Sequence, residues 1–399
     1  MSKRVAITGM GIVSSIGMNV EETRSSLLSS QTGISTIENI DTRLKDSIFV
    51  GEIKKTNLEL AALLNLPEVN KFSRTSMMGA LAAKEALENA GIDSESSTRL
   101  GFINSTTVGG MDTTERYYRE FSESEENRRY IEILDTGSNT QLIAEQLHIK
   151  GFVTTISTAC SSAANAIMMG ARMIETGRLD QVVVGGMDAL CKFTMNGFNT
   201  LMILSDAYNQ PFDNNRKGLN LGEGAAYLVL ESEASMKARG KQALAYLAGY
   251  ANANDAFHQT ASSDNGEGAF LAMKGALEIS GLSLKDIDYV NVHGTATPNN
   301  DLSEGRAMMR LFDGENIPSF SSTKPFTGHT LAAAASVEAV FSIIALQEGV
   351  IYPNLNFENK MEEFDLTPVT ELKKKELAVI MSNSFGFGGN CSSLIFCKA

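Results

Sequence analysis

Cys160 lies in a run of small residues, Ser157-Thr158-Ala159-Cys160-Ser161-Ser162, between a β-branched segment and an Ala- and Met-rich pattern typical of a helix. The strand should end near Ile156 and the helix should cover residues 161–175, which puts the thiol in the first turn of a buried helix. Unpaired amides and the helix dipole favour a thiolate there, so we expect the Cys160 pKa below its usual value of about 8.5. A buried cysteine is more often a packing residue, but this placement favours a nucleophile.

Two of the four histidines lie at junctions between a loop and a regular element, in the motifs Val292-His293-Gly294-Thr295-Ala296-Thr297-Pro298 and Lys324-Pro325-Phe326-Thr327-Gly328-His329. Neutral imidazoles beside a nucleophile can donate hydrogen bonds to a developing oxyanion or enolate. Asp301 and Glu304 follow the first motif, and Lys324 begins the second. These charges predict a buried ion pair that orients the histidine.

A glycine-rich segment, Phe385-Gly386-Phe387-Gly388-Gly389, follows a predicted strand near the end of the chain. Glycine permits positive φ and a close approach of the backbone. Such a loop could supply an amide to an oxyanion hole, although glycine-rich turns are common and the motif alone is weak.

Strand-like and helix-like segments alternate along the chain and predict the α/β class. The expected helices cover residues 74–90, 140–146, 161–175, 268–280 and 331–346. The expected strands cover residues 5–8, 100–104, 153–156, 181–185, 225–231, 289–292 and 378–382.

A weak internal repeat divides the chain. Cys160 and the Gly328-His329 pair each open an Ala-rich helix that is followed by a strand ending in glycines. Two copies of one α/β unit, residues 1–235 and 236–399, would bring Cys160 and His329 to matching helix starts.

The composition restricts the class of protein. The chain has 399 residues, 43% of them hydrophobic, and a formal net charge of −13, which argues against nucleic-acid binding. No apolar run reaches the roughly 18 residues of a membrane span. Four irregularly spaced cysteines fit the reducing cytoplasm, and no spacing suggests a transition-metal site. An acidic protein partner would need a local basic patch, for which the candidates are Lys71, Arg74, Arg128 and Arg129.

Taken together, the motifs resemble the β-ketoacyl-[acyl-carrier-protein] synthases of the KAS I/II type, in the thiolase superfamily. The matching segments occur in family order along the whole chain: Val5-Ala6-Ile7-Thr8-Gly9-Met10-Gly11, Ser157-Thr158-Ala159-Cys160-Ser161-Ser162, Asp213-x-x-Arg216-x-Gly218, Leu221-Gly222-Glu223-Gly224-Ala225, His293-Gly294-Thr295, Lys324-x-x-x-Gly328-His329 and Asn383-Ser384-Phe385-Gly386-Phe387-Gly388-Gly389. The resemblance implies a duplicated thiolase fold, a five-layered αβαβα sandwich, working as a homodimer.

The resemblance also implies a reaction. Cys160 would take an acyl chain from acyl carrier protein, and His293 and His329 would assist decarboxylation of malonyl-carrier protein, giving a 3-oxoacyl product without a cofactor. The amides of Cys160 and Phe387 would form the oxyanion hole, and Lys324 with Glu304 would order the His329 region. The residues expected to bind substrate are Thr295, Thr297, Phe387, Val108 and Thr260. A monovalent cation is expected near Asn291, Glu338, Ser382 and Asn383.

The chain departs from the family pattern at several positions. It has Gly388-Gly389-Asn390-Cys391 where Gly-Gly-Thr-Asn is common, Leu219 where an aromatic is common, and Ala296 where serine is frequent. These differences leave acyl specificity open, and with it a polyketide or aryl-polyene pathway with a partner subunit. Two other classes fit less well. A degradative thiolase would need a second catalytic cysteine in the C-terminal half, and a silent chain-length subunit would lack the nucleophile.

Overall fold

The computed structural model describes residues 5–97, 99–121, 124–314 and 316–399. Its regular elements alternate as an α/β protein. The first half contains β1 (Val5–Ser14), α1 (Val20–Leu28), β2 (Ser35–Thr36), β3 (Phe49–Val50), α2 (Asn57–Leu63), α3 (Arg74–Ala90), β4 (Leu100–Ser105), α4 (Met111–Tyr117), α5 (Glu125–Glu132), α6 (Thr136–Gln146), β5 (Val153–Ile156), α7 (Ser162–Glu175), β6 (Gln181–Asp188), α8 (Lys192–Thr200), β7 (Gly224–Glu231) and α9 (Glu233–Ala238).

The second half repeats the alternation. It contains β8 (Ala245–Asn254), α10 (Glu267–Ser280), β9 (Tyr289–Asn291), α11 (Pro298–Leu311), β10 (Ser319–Ser321), α12 (Lys324–Thr327), α13 (Ala334–Glu348), β11 (Val350–Ile351), β12 (Lys373–Lys374), β13 (Val379–Gly386) and β14 (Asn390–Lys398). Short 3-10 turns cover Leu284–Asp286, Leu331–Ala333 and Phe387–Gly389.

The strands confirm the predicted duplication. The first half has the order β5-β4-β6-β7-β1 and the second has β10-β9-β13-β14-β8. In each half the first three strands are parallel and the last two are antiparallel to their neighbours. β1 and β8 pair antiparallel, with Ala6 opposite Tyr246, and join the halves into one ten-stranded sheet.

Helices cover both faces of each half-sheet and give the five predicted layers. Helix α3 packs on one outer face, against β1 and β7, and α10 packs on the other, against β8 and β14. Helices α7 and α13 contact each other and both half-sheets, so they form the central layer. Leu331–Glu348 is long and apolar enough to cross a membrane, but 89% of that window is buried inside the protein, as expected of a core helix.

Several predicted bounds agree with the structure. The helix at residues 74–90 and the strand at residues 153–156 match α3 and β5. Helix α3 begins with a capping box formed by Ser73 and Ser76 and ends at Gly91 in the left-handed conformation. The predicted helix at 161–175 begins one residue later, at Ser162. Strands β8 and β14, which pair along their length and complete the second half-sheet, were absent from the prediction.

Candidate active site

Cys160 lies in a tight turn between β5 and α7. The hydroxyl of Ser162 accepts a hydrogen bond from the Thr158 amide at 2.8 Å and donates one to the Ala159 carbonyl at 2.5 Å. Ala159 has φ of 53°, a left-handed conformation that costs a non-glycine residue about 1 kcal/mol. This strained turn fixes the position of the sulfur, and Cys160 is only 7% exposed.

Burial raises the pKa of the Cys160 thiol to about 11. The charge of Lys324 and hydrogen bonds from the amides of Phe387 and Cys160 act in the opposite direction, but desolvation outweighs them. The prediction of a lowered pKa is therefore wrong. Because α7 begins at Ser162, the sulfur precedes the first helical turn, and the nucleophile rests as a thiol.

The two amides that act on the sulfur are those predicted for an oxyanion hole. Phe387 begins the short turn that follows β13, and its ring stacks on Phe198 with centroids 5.8 Å apart. The preceding residue, Gly386, packs directly on the nucleophile turn, since a Cβ there would lie 3.0 Å from the Thr158 carbonyl oxygen and 3.1 Å from the Cys160 nitrogen. Glycine is what allows the loop to approach the sulfur this closely.

His293 and His329 face each other across the same cavity. Their ring centroids are 5.4 Å apart and their planes are nearly perpendicular, at 87°. Burial, reinforced by the charge of Lys324, holds the pKa of both imidazoles well below the usual range. Both rings are therefore neutral at neutral pH.

Hydrogen bonds to Nδ1 indicate the tautomer of each ring. The amide of Leu331 donates to Nδ1 of His329 at 3.1 Å, and the Lys324 ammonium lies 3.3 Å from Nδ1 of His293. With Nδ1 accepting in both rings, the proton of each neutral imidazole is on Nε2. Both histidines can then act as hydrogen-bond donors.

Lys324 has a different partner from the one predicted. Its ammonium, 2% exposed, lies 2.5 Å from the carboxylate of Glu338 on α13. The predicted pairing with Glu304 or Asp301 is wrong, because both of those carboxylates receive backbone amides. The contact from Lys324 to a histidine ring is also to His293, whereas the sequence suggested His329.

Glu304 and Asp301 hold the loop that carries His293. The carboxylate of Glu304 accepts the amides of His293 at 2.9 Å and Gly294 at 2.8 Å, and burial raises its pKa to about 7. The carboxylate of Asp301 accepts the amides of Phe212 at 2.7 Å and Ala296 at 3.1 Å. They support the histidine through its backbone.

The catalytic groups meet in one cavity of about 380 Å³. Its wall includes the predicted Thr260, Thr295, Thr297 and Phe387, and also Leu219, Pro298, Phe385, Gly386 and Gly389 from motifs and departures that the sequence analysis named. The wall residues that the sequence did not indicate are Phe198, Leu201, Met202, Ile203, Ala261, Ser262, Asn299 and Asn300. Val108 is not part of this wall. It lies after β4, where its amide donates to Asp188 at 3.3 Å, so its predicted substrate contact is not made in this cavity.

The residues proposed near a monovalent cation are tied to other protein groups. Glu338 pairs with Lys324, Asn291 bonds to Thr323 at 3.3 Å, and the carboxamide of Asn383 joins Glu304 to Ser393. Within the described ranges no group of three His, Cys, Asp or Glu side chains could hold a metal ion. The cation stays a prediction.

Two polar side chains that each accept several hydrogen bonds were absent from the sequence prediction: Asp188, which is buried, and Asn390, which is partly buried. Asp188, at the end of β6, accepts hydrogen bonds from the side chains of Thr106 and Thr107 and from the amide of Ala332, which precedes α13. Asn390, at the start of β14, accepts three side-chain donors. The Gly185-Gly186-Met187-Asp188 strand end was the available signal for the first, and the departure at Asn390 was the signal for the second.

The predicted basic patch loses one member. Arg74 is buried, with its guanidinium 2.6 Å from Glu223 and bonded to the carbonyls of Ile53 and Lys55. Lys71 and Arg128 are exposed, and Arg129 is partly covered beside the ring of Tyr130. Arg74 therefore contributes to the core and is unavailable to a docking partner.

The arrangement of a cysteine, two neutral histidines and paired amides agrees with comparisons to known proteins. Residues 2–235 match the model of the beta-ketoacyl synthase N-terminal domain, and residues 244–358 match that of the C-terminal domain. The chain belongs to the β-ketoacyl synthase family. It is a condensing acyltransferase, as are its curated relatives, which are named 3-oxoacyl-[acyl-carrier-protein] synthase 2.

Relatives and solved structures cover the chain end to end. A 3-oxoacyl-[acyl-carrier-protein] synthase 2 from Vibrio cholerae is 35% identical, with 99% of each chain covered, and one from Staphylococcus aureus is 33% identical, with 100% and 99% covered. The ishigamide ketosynthase/chain length factor matches with a TM-score of 0.93 at 28% identity, with 100% of both chains covered. A type II polyketide ketosynthase in complex with its acyl-carrier protein matches with a TM-score of 0.88 at 25% identity, also with 100% of both covered.

Proposed function

We propose that Cys160 is the acylated nucleophile of this condensation and that His293 and His329 serve the decarboxylation. The observation that carries the proposal is the single cavity that Cys160, both histidines and Phe387 line. The function needs no cofactor, because the substrates bring their own thioester activation.

In the first half-reaction the Cys160 sulfur attacks the carbonyl carbon of the acyl-carrier thioester. A new S–C bond forms, the bond to the pantetheine sulfur breaks, and the proton of the Cys160 thiol ends on that pantetheine sulfur. The exchange consumes no net proton, which is compatible with a thiol that burial keeps protonated. The amides of Cys160 and Phe387 stabilise the negative oxygen of the tetrahedral intermediate.

In the second half-reaction malonyl-carrier protein loses CO2, and the electrons of the broken C–C bond form an enolate. The Nε2–H groups of His293 and His329 donate to the enolate oxygen, and their depressed pKa keeps them neutral donors. The carbanion carbon then attacks the acyl-Cys160 carbonyl, the cysteine sulfur leaves as a thiolate, and it takes up one proton from the solvent to return to the resting thiol. The product is a 3-oxoacyl-carrier protein.

A step-resolved assay tests these roles. Cys160→Ala should retain decarboxylation of malonyl-carrier protein, because enolate stabilisation does not require the thiol, while it forms no acyl-enzyme. Loss of both activities in a folded Cys160→Ala protein would contradict the division of roles.

We also propose that Thr295 and Thr297, whose hydroxyls lie 2.8 Å apart on the cavity wall, contact the pantetheine arm.

We propose docking of the acyl carrier protein through a local basic patch that includes Lys71, Arg128 and Arg129. A chain with a net charge of −13 needs such a patch to receive an acidic partner. Higher ionic strength should then raise the KM of carrier-protein substrates more than that of coenzyme A analogues, which lack the acidic domain. An equal rise in KM for both kinds of substrate would show that the carrier protein does not dock through this patch.

A homodimer is also proposed, with the far end of the acyl pocket near Val108–Met111 built by both subunits. These residues pack on the segment 133–137, where the amide of Gly110 donates to Ile133 at 3.1 Å. An obligate interface should bury more than ~2,000 Å². An active monomer by sedimentation at micromolar concentration would contradict this.

A specific observation favours a second candidate, a polyketide or aryl-polyene ketosynthase with a partner subunit. The match to a ketosynthase/chain length factor structure, with a TM-score of 0.93, covers the whole chain. A requirement for a second, different subunit in a condensation assay would favour it. A cytoplasmic location is proposed because none of the four cysteines, all of them within the described residues, forms a disulfide.

A further inference from the structure

The side-chain oxygen of Asn390 receives three hydrogen bonds from two separate segments. Ser161 Oγ donates at 2.6 Å, Asn165 Nδ2 at 2.9 Å and Asn252 Nδ2 at 2.7 Å. Ser161 directly follows the nucleophile, Asn165 is in the first turns of α7, and Asn252 is on β8. One carboxamide therefore links the nucleophile helix, a strand of the second half-sheet and the end of the glycine loop.

The loop on the other side of Asn390 is bonded to the segment 254–259, through the Gly388 amide to the Gln259 carbonyl at 2.8 Å, the Asp255 amide to the Gly389 carbonyl at 2.8 Å and Asn254 Nδ2 to the Gly388 carbonyl at 3.1 Å. None of these three hydrogen bonds reaches the Cys160 turn. Gly388 and Gly389 have φ of 81° and 79°, and their conformational freedom separates Phe387 from the regular part of β14. Asn390 is the first residue after those glycines and begins β14. The amide of Phe387 and the amide of Cys160 belong to different segments. Gly386 packs on the Cys160 turn on one side of Phe387, and Asn390 bonds to the same turn on the other side.

We infer that Asn390 is a positioning residue for the oxyanion hole: it fixes the Phe387 loop relative to the Cys160 turn. The inference rests on the proposed function, because it assigns the two amides to the tetrahedral intermediate. Preorganised donors lose much of their effect when they move by a fraction of an ångström. The histidines are held by a different set of contacts, through Lys324, Glu304 and Leu331, which do not include Asn390.

The inference makes a step-specific prediction. Asn390→Ala should lower the maximal rate of Cys160 acylation by ~10- to 100-fold with KM for the acyl-carrier substrate nearly unchanged, since the lost contribution is made in the transition state. Decarboxylation of malonyl-carrier protein, measured in a Cys160→Ala background with and without Asn390→Ala, should stay the same. Asn390→Thr retains an accepting oxygen and should recover part of the rate. A simple loss of stability would lower both steps together.

Asn89→Ala is the matched control, because it removes a carboxamide that accepts the amide of Met10 on the outer side of the first half-sheet. Both steps should be unchanged in that variant. If Asn390→Ala does not fold, Ser161→Ala and Asn390→Thr provide the test. Each should slow acylation, and the double variant should lose less than the product of the two single losses, because they share one hydrogen bond.

Acylation of the wild-type protein at Cys160 is measured first, by single-turnover intact-protein mass spectrometry. Its absence would overturn the proposed function and this inference with it. With wild-type acylation present, slower acylation and unchanged decarboxylation in the Asn390 variants would support the inference. An unchanged acylation rate, or an equal loss in both steps, would overturn the inference and leave the proposed function standing.

Discussion

The two halves of the molecule share one topology and place different chemistry at equivalent points. Cys160 precedes α7 in the first half and His329 precedes the turn that leads into α13 in the second. Each follows a residue with positive φ, Ala159 at 53° and Gly328 at 72°. Duplication therefore provides two equivalent helix starts, one for the nucleophile and one for a hydrogen-bond donor.

The strand ends differ more than the helix starts. In the first half the loop after β4 is tied by the buried carboxylate of Asp188, through Thr106 and Thr107. In the second half the loop after β9 carries His293 and is tied by Glu304. Both carboxylates hold a loop, but only the second loop presents a side chain to the cavity. The comparison separates the residues that react from those that support the backbone.

The largest expected effect comes from removing a histidine. His293→Ala or His329→Ala should lower the condensation rate by ~1,000-fold or more, because the enolate loses a preorganised donor. Cys160 should still be acylated, since that step uses the sulfur and the amides of Cys160 and Phe387 and neither imidazole. Product analysis and intact-protein mass spectrometry separate the two. Loss of acylation equal to the loss of condensation would break the assignment of the halves.

Lys324→Met should have the next largest effect. The change leaves Glu338 buried without its cation and removes the ammonium beside Nδ1 of His293. We expect a fall in condensation of ~100-fold, with a smaller change in acylation, because the charge acts mainly through a histidine. The control is Lys241→Met, which removes a partly exposed lysine whose ammonium donates to the Asn89 carbonyl at 2.7 Å. A normal rate of condensation in Lys324→Met would show that the ammonium does not orient His293.

The resting thiol gives a smaller, pH-dependent effect. With the pKa of Cys160 raised to about 11, its alkylation by iodoacetamide should be slow at pH 7 and rise ~10-fold per pH unit up to pH 9. Cys160→Ala identifies the background from the other cysteines. A Cys160 alkylation rate that no longer rises above pH 7 would show that the thiolate is stabilised, as its position near the start of α7 predicted.

Glu304 gives the smallest expected effect, on stability. Its pKa is raised in the folded protein to about 7 from 4.5, so the folded state binds its proton more tightly than the unfolded state. Stability from this group is present below pH 4.5 and is lost as the pH rises through 7. Glu304→Gln should therefore show a shallower fall in unfolding free energy across that window, by at most ~3 kcal/mol. If the unfolding free energy changes with pH by the same amount in the wild type and in Glu304→Gln, the raised pKa of Glu304 is contradicted.

Much of this architecture could be predicted from the sequence. Helix α3 has a capping box and a terminal glycine, and β5 is β-branched and ends in small residues, so local signals define both. The positions of Cys160, His293 and His329 at one candidate site follow from their motifs. The pairing of Lys324 with Glu338 could not be predicted, because it joins the short helix α12 to the buried helix α13 in three dimensions.

Burial is the other quantity that the local sequence did not provide. The position of Cys160 near a helix start indicates how the dipole lowers its pKa but not how desolvation raises it. Desolvation has the larger effect on the pKa, because both half-sheets enclose the site. Arg74 looked like a surface charge in sequence, yet it pairs with Glu223 across 149 residues. Strand β8 pairs with strands far away in the chain, β1 and β14, and β14 pairs with distant β8 as well as with neighbouring β13, so these pairings define both strands as much as their own composition does.

The central claim is that Cys160, at the helix start of the first half, carries the acyl group. Wild-type and Cys160→Ala proteins are incubated with acyl-carrier protein, analysed by intact-protein mass spectrometry and then mapped by peptide digestion. The account predicts one acyl mass on the wild-type protein, located on Cys160, and no added mass on Cys160→Ala. An acyl mass on the Cys160→Ala protein, located for example on Cys391, would contradict it.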